Sequence, residues 1–131
     1  MRKHLCLLLI FSVLLTLCGC SKTSIPSDAP VTLTFIYSDK NISVTLADDE
    51  AATVIDILNG NRYDPSFAGY PSCGFTQNVS LTVGDRVFAI ACDTCNCIED
   101  LSKLRFFDIP KEDMDYIHSL FEKYGGYFPC V

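Results

Sequence analysis

Apolar and polar residues alternate along Val31-Thr-Leu-Thr-Phe-Ile-Tyr37 and again along Ile42-Ser-Val-Thr-Leu46. Period-2 patterning rich in β-branched and aromatic residues predicts two half-buried strands. Ser38-Asp39-Lys40-Asn41 between them predicts a turn, and hence a β-hairpin. The period then changes. Ala51, Val54, Ile55 and Leu58 recur at helical spacing and predict an amphipathic helix. Asp48 is its expected cap, with Asp49 and Glu50 in the first turn facing the positive end of the helix dipole. Gly60 is expected to end it in the left-handed conformation. Val79–Val83 and Arg86–Cys92 predict a second pair of strands about a Gly84-Asp85 turn, and Leu104–Asp108 a short fifth. Pro110 suits the start of a last helix. Met114, Ile117, Leu120, Phe121 and Tyr124 form its apolar stripe, and Gly125-Gly126 its stop.

This order, ββα-loop-βββα, predicts a small α+β domain over residues 31–131. It has an antiparallel sheet of four to five strands with two helices packed on it. Residues 61–76 are a long loop carrying Tyr63, Phe67 and Tyr70 ahead of Cys73. Loops of this length in small domains are commonly functional or pinned by a cross-link. Phe67 and Phe75 suit a small core, whereas Tyr63 and Tyr70 are candidates for a binding surface.

The amino-terminal pattern is different in kind. Arg2, Lys3 and His4 precede Leu5–Leu17, which has no charged residue. A basic start, an apolar run and small residues after it form a secretory signal. The run is shorter than the roughly 20 residues that a membrane-spanning helix needs. Leu17-Cys18-Gly19-Cys20 closes it and resembles the lipobox of bacterial lipoproteins. The resemblance implies cleavage after Gly19, a diacylglycerol on the Cys20 sulfur and a fatty acid such as palmitate on its new amino group. Residues 1–19 would then be signal, and the chain from Cys20 would be held by lipid on the extracytoplasmic face of the cell membrane. In a host with an outer membrane, Ser21 after the anchor resembles lipoproteins sent there. Residues 20–30, with Ser, Thr, Asp and two Pro, are expected to be a flexible tether.

Charge narrows the partners. The chain carries 10 basic and 16 acidic residues, a net charge of −6. Without Arg2 and Lys3 the mature chain would have 8 basic residues against the same 16 acidic ones, about −8. An acidic chain without a basic cluster is a poor partner for nucleic acid or for anionic headgroups. Acyl chains would supply the membrane affinity, and the expected partner beyond the membrane is an extracytoplasmic protein.

Of the eight cysteines, Cys6 and Cys18 lie in the signal and Cys20 takes the lipid. Cys73, Cys92, Cys95, Cys97 and Cys130 remain, an odd number in a compartment where thiols oxidise. The expectation is a disulfide-stabilised domain with Cys73 bonded to Cys130 and Cys92 to Cys97 or Cys95. The alternative is that Cys92, Cys95 and Cys97 hold copper or zinc, with Cys73 or Cys130 adding a thiolate. Cys92-Asp-Thr-Cys95 is also spaced for thiol–disulfide exchange, provided a helix follows it from Cys97. Asp93, Glu99 and Asp100 oppose a thiolate there. No Ser/His/Asp order, phosphate-binding glycine loop or His pair at metal spacing is present. The expectation is therefore a non-catalytic binding domain without a cofactor.

Overall fold

A computed structural model describes residues 22–65 and 73–128; Cys20, Tyr70 and Cys130 lie outside the described residues. The strands are β1 (Val31–Tyr37), β2 (Lys40–Thr45), β3 (Val79–Val83), β4 (Arg86–Ile90), β5 (Cys97–Asp100) and β6 (Arg105–Asp108). The helices are α1 (Asp48–Gly60) and α2 (Lys111–Gly125). One sheet orders the strands β2-β1-β3-β4-β5-β6, and every neighbouring pair is antiparallel. The α+β class and the two helices agree with the sequence pattern, and the strand count rises to six.

The added strand is β5. All four of its residues are buried, Cys97 and Glu99 on one face and Ile98 and Asp100 on the other. Polar side chains inside on both faces erase the alternation that would have marked a strand.

The main core lies between the helices and one face of the sheet. Leu33, Phe35, Leu81, Phe88 and Ile98 meet Val54, Leu58, Met114, Ile117 and Phe121 there. Burying each such side chain contributes about 1.5–3 kcal/mol. Gly125 allows α2 to close on β1, since a Cβ there would stand 2.9 Å from Phe35 Cδ1. Gly126 follows with φ 88° and donates its N–H to the Glu122 carbonyl, a left-handed stop.

The ends of α1 differ from expectation. Ala47 takes the cap position, and Asp48 is already helical. Glu50 supplies the missing side-chain acceptor, with Oε2 taking the Ala47 N–H at 3.4 Å. Its carboxylate also accepts from Lys123 Nζ and Tyr124 OH, both at 2.7 Å, and so joins the start of α1 to the end of α2. Helix α1 runs through Gly60, and Asn61 closes it in an extended conformation by donating Nδ2–H to the Ile57 carbonyl.

Residues 22–30, expected to be part of a flexible tether, touch the fold at several points. Thr23 and Ile25 are buried at 5 % and 7 % exposure. Thr23 Oγ1 donates to the Leu58 carbonyl, and Asn59 exchanges two 2.9 Å hydrogen bonds with the backbone of Ile25. Lys22 pairs with Arg62 as an isolated bridge. An apolar Ile and two amide bonds suffice to dock a segment whose composition alone reads as linker.

Candidate functional site

On the sheet face away from the main core, Ala91, Cys97 and Phe106 form a second buried cluster, joined by Cys73, Phe75 and Cys95. The connection from β4 to β5 builds it. It closes through Ala91 N–H to the Cys97 carbonyl at 3.2 Å, and Cys92 N–H reaches the Gly74 carbonyl at 2.7 Å. Asp93 completes the attachment. One carboxylate oxygen accepts the Cys95 N–H and the other the Gly74 N–H, both at 2.8 Å. The segment after the long loop is thereby stitched to the cysteine turn.

The Cys73 and Cys95 sulfurs and an Asp93 oxygen consequently lie within 4.8 Å of one another. Cys73 and Cys95 are free thiols, as is the buried Cys97. Cys92 faces elsewhere, its sulfur 3.5 Å from the Ile90 carbonyl and its side chain packed on the main core. Among the described residues, then, Cys92, Cys95 and Cys97 do not form a single ligand set. Cys73 and Asp93 stand where Cys92 and Cys97 were expected.

Electrostatics disfavour thiolates here. The Cys73 thiol, the Asp93 carboxylate and burial together push the Cys95 thiol up to about 12. Burial, with Asp108 alongside, pushes Cys97 higher still. Burial would raise Asp93, but the N–H donors of Cys95 and Gly74 outweigh it and hold the carboxyl below its usual range. No helix follows the pair, since Cys97 opens β5. The dipole that a thiol–disulfide enzyme places at its nucleophile is therefore missing from this turn. The arrangement can close a disulfide or take a soft cation, and it holds the Cys95 thiol protonated at neutral pH.

Tyr63, expected on a binding surface, belongs to the interior at 5 % exposure. Its hydroxyl donates to Asp100 Oδ2 at 2.5 Å and accepts from Arg86 Nη2 at 2.7 Å. Arg86 also pairs directly with Asp100. Ser102 donates to the other Asp100 oxygen from its backbone at 3.0 Å and its hydroxyl at 2.6 Å. This network was missed in the sequence, although Arg86 at the head of an otherwise apolar strand signals a buried partner.

Next to the cysteine turn lies an open cavity of about 290 Å³ lined by Phe75, Gln77, Ala89, Glu99, Leu101 and Leu104. Ala89 is the cross-strand neighbour of Glu99 on β4, and Phe106 its neighbour on β6. The small Ala89 side chain leaves room beside the carboxyl, while Phe75 packs on Phe106 at 5.5 Å between ring centroids. Glu99 is 4 % exposed, and burial raises its carboxyl above the usual value.

The chain matches no family model, no curated protein and no solved structure. Its function is therefore argued from its own residues.

Proposed function

We propose that this chain is a bacterial lipoprotein, held by lipid on Cys20 at the extracytoplasmic face of the membrane, with a non-catalytic binding domain. Leu17-Cys18-Gly19-Cys20 after an uncharged apolar run supports the anchor. Among the described residues no helix is long and apolar enough to cross a membrane. The observation that carries the binding role is the cysteine turn. Its Cys95 thiol is held protonated beside the Asp93 carboxylate, the reverse of an activated nucleophile. Metabolic labelling with an alkyne fatty acid tests the anchor. Label and membrane attachment are expected for the wild type and lost in Cys20→Ala; a labelled Cys20→Ala protein would end the reading.

The domain is further proposed to be disulfide-stabilised, with Cys73 and Cys95 as the pair. Asp93 aligns them through the two N–H groups it accepts. The S–S bond would form by exchange with a protein disulfide of the oxidising compartment, which leaves as two thiols. By chain entropy, closing a loop of this length stabilises by about 3 kcal/mol. Cys73–Cys130, the earlier expectation, involves a residue outside those described.

A second reading, zinc or copper held by Cys73, Asp93 and Cys95, is favoured by the convergence of those three donors within 4.8 Å. Peptide mapping of the unreduced mature chain separates the two. A cross-linked Cys73–Cys95 peptide supports the disulfide. Both thiols reduced, with one equivalent of metal, replaces it with the metal site.

A further inference from the structure

We infer that the cavity beside Glu99 is a docking site for a lysine side chain of a partner protein. Three observations carry this. Glu99 is 96 % buried by the complement of its 4 % exposure, lines the cavity, and has no hydrogen-bond or ion-pair partner among the described residues. A carboxyl set this deep, reached only through the cavity and not paired by the fold, is open to a cation or donor from elsewhere. Around it the walls are mixed: Phe75, Ala89, Leu101 and Leu104 are apolar, and Thr76 and Gln77 are polar. A single carboxyl flanked by apolar side chains matches the methylene stem and compact ammonium of lysine better than the flat, five-donor guanidinium of arginine. A cavity of about 290 Å³ is the size for one side chain, at the lower limit of ligand pockets.

Leu104 points to a protein as the source. It is 68 % exposed at the edge of this cavity, in a left-handed conformation with φ 51°. A large apolar side chain held outward on strained backbone suits a contact surface. Among the described residues, no cation of the chain itself is paired with Glu99. Lys103 and Arg105 lie over the Tyr63 ring, Arg86 pairs with Asp100, and residues 66–72 contain no basic residue. The net charge of −6 would also draw a basic partner toward this domain. Proximity of the cavity to the cysteine turn through Phe75 gives the turn a purpose: it holds one wall of the pocket in place.

This inference rests on the binding-domain reading but not on the lipid. It is tested on the full chain in detergent by nuclear magnetic resonance, with acetyl-Ala-Leu-Lys-Leu-Ala-amide as probe. Amide signals of Phe75, Ala89, Leu101 and Leu104 are expected to shift saturably. The same peptide with acetylated lysine, and n-butylamine, are each expected to bind at least about ten-fold more weakly. Glu99→Gln is expected to lose about ten-fold in affinity while keeping a dispersed spectrum, and the exposed Leu104→Ala a smaller factor. No saturable shift would overturn the site, as would equal binding by Glu99→Gln. If Glu99→Gln does not fold, undiminished binding by Leu104→Ala would overturn the assigned contact. Butylamine binding as tightly as the peptide would overturn a protein partner. Failure of acyl labelling at Cys20 would leave each of these outcomes readable.

Discussion

Glu99 and Asp100 are consecutive carboxylates on one strand, both buried, and they live in opposite circumstances. Asp100 faces the Tyr63 and Arg86 side, where both of its oxygens accept hydrogen bonds. Burial would raise its pKa, but the donors Ser102, Tyr63 and Arg86 outweigh it and hold the carboxyl below its usual range. Glu99 points through the other face into a cavity where no described residue donates to it, and burial alone raises it. A β-strand turns successive side chains to opposite faces, so a step of one residue exchanges one environment for the other. Burial is common to both. What separates a structural carboxylate from one available to a ligand is whether the fold itself has supplied the counter-charge.

The contrast can be broken most severely at Asp100. Asp100→Asn keeps the shape but leaves the largely covered Arg86 guanidinium without its counter-charge. A loss of about 3–5 kcal/mol is expected in urea unfolding. A loss under about 1 kcal/mol would mean that the pair does not hold the strands. Tyr63→Phe removes one hydroxyl from the same network and is expected to cost about 1–2 kcal/mol by the same measurement. It should also leave peptide binding at the Glu99 cavity unchanged, since the two sites lie on different faces.

The smallest effect, and the most telling in sign, belongs to Glu99→Gln. A carboxyl raised in the folded state binds protons more readily there than in the unfolded chain. Its contribution to stability is therefore fully present below the unfolded value of 4.5 and lost as pH rises through the folded one. Wild type should lose stability relative to Glu99→Gln as pH climbs through that window. Asp100 behaves in reverse: its contribution is present above the unfolded value of 3.8 and lost as pH falls through its depressed folded value. Thermal unfolding of wild type, Glu99→Gln and Asp100→Asn across pH 3 to 8 checks both signs. Identical slopes for wild type and Glu99→Gln would mean that burial does not raise the Glu99 carboxyl.

Where one period governed a segment, the sequence was readable. The alternation of β1, the stripe on α1 and the stripe on α2 all correspond to buried faces in the structure. Legibility failed where side chains of opposite character share a buried strand, as in β5. It failed also where a single amide does the work of many contacts, as Asn59 does for residues 22–30. The site was half legible. Cysteine spacing marked residues 92–97 as chemically dense, but pairing across the sheet turned Cys92 away and brought in Cys73, whose approach depends on Asp93 hydrogen bonds that spacing cannot express. Tyr63 misled because an aromatic in a loop reads as surface until its hydroxyl is seen to meet Asp100.

If Cys20 carries the proposed lipid, the docking of Thr23 and Ile25 on α1 would also set how far this domain could travel. As a free chain, ten residues from Ser21 to Pro30 would extend to roughly 33 Å, at about 3.3 Å per residue. With Thr23 and Ile25 held on α1, a lipid on Cys20 would instead lie within a few residues of the fold. The domain would then explore a thin layer against the headgroups, moving laterally with its lipid instead of swinging outward. Whatever it meets would have to lie in the same membrane or come down to it, and Ile25→Ala, by freeing the segment, would lengthen that leash without touching the sheet.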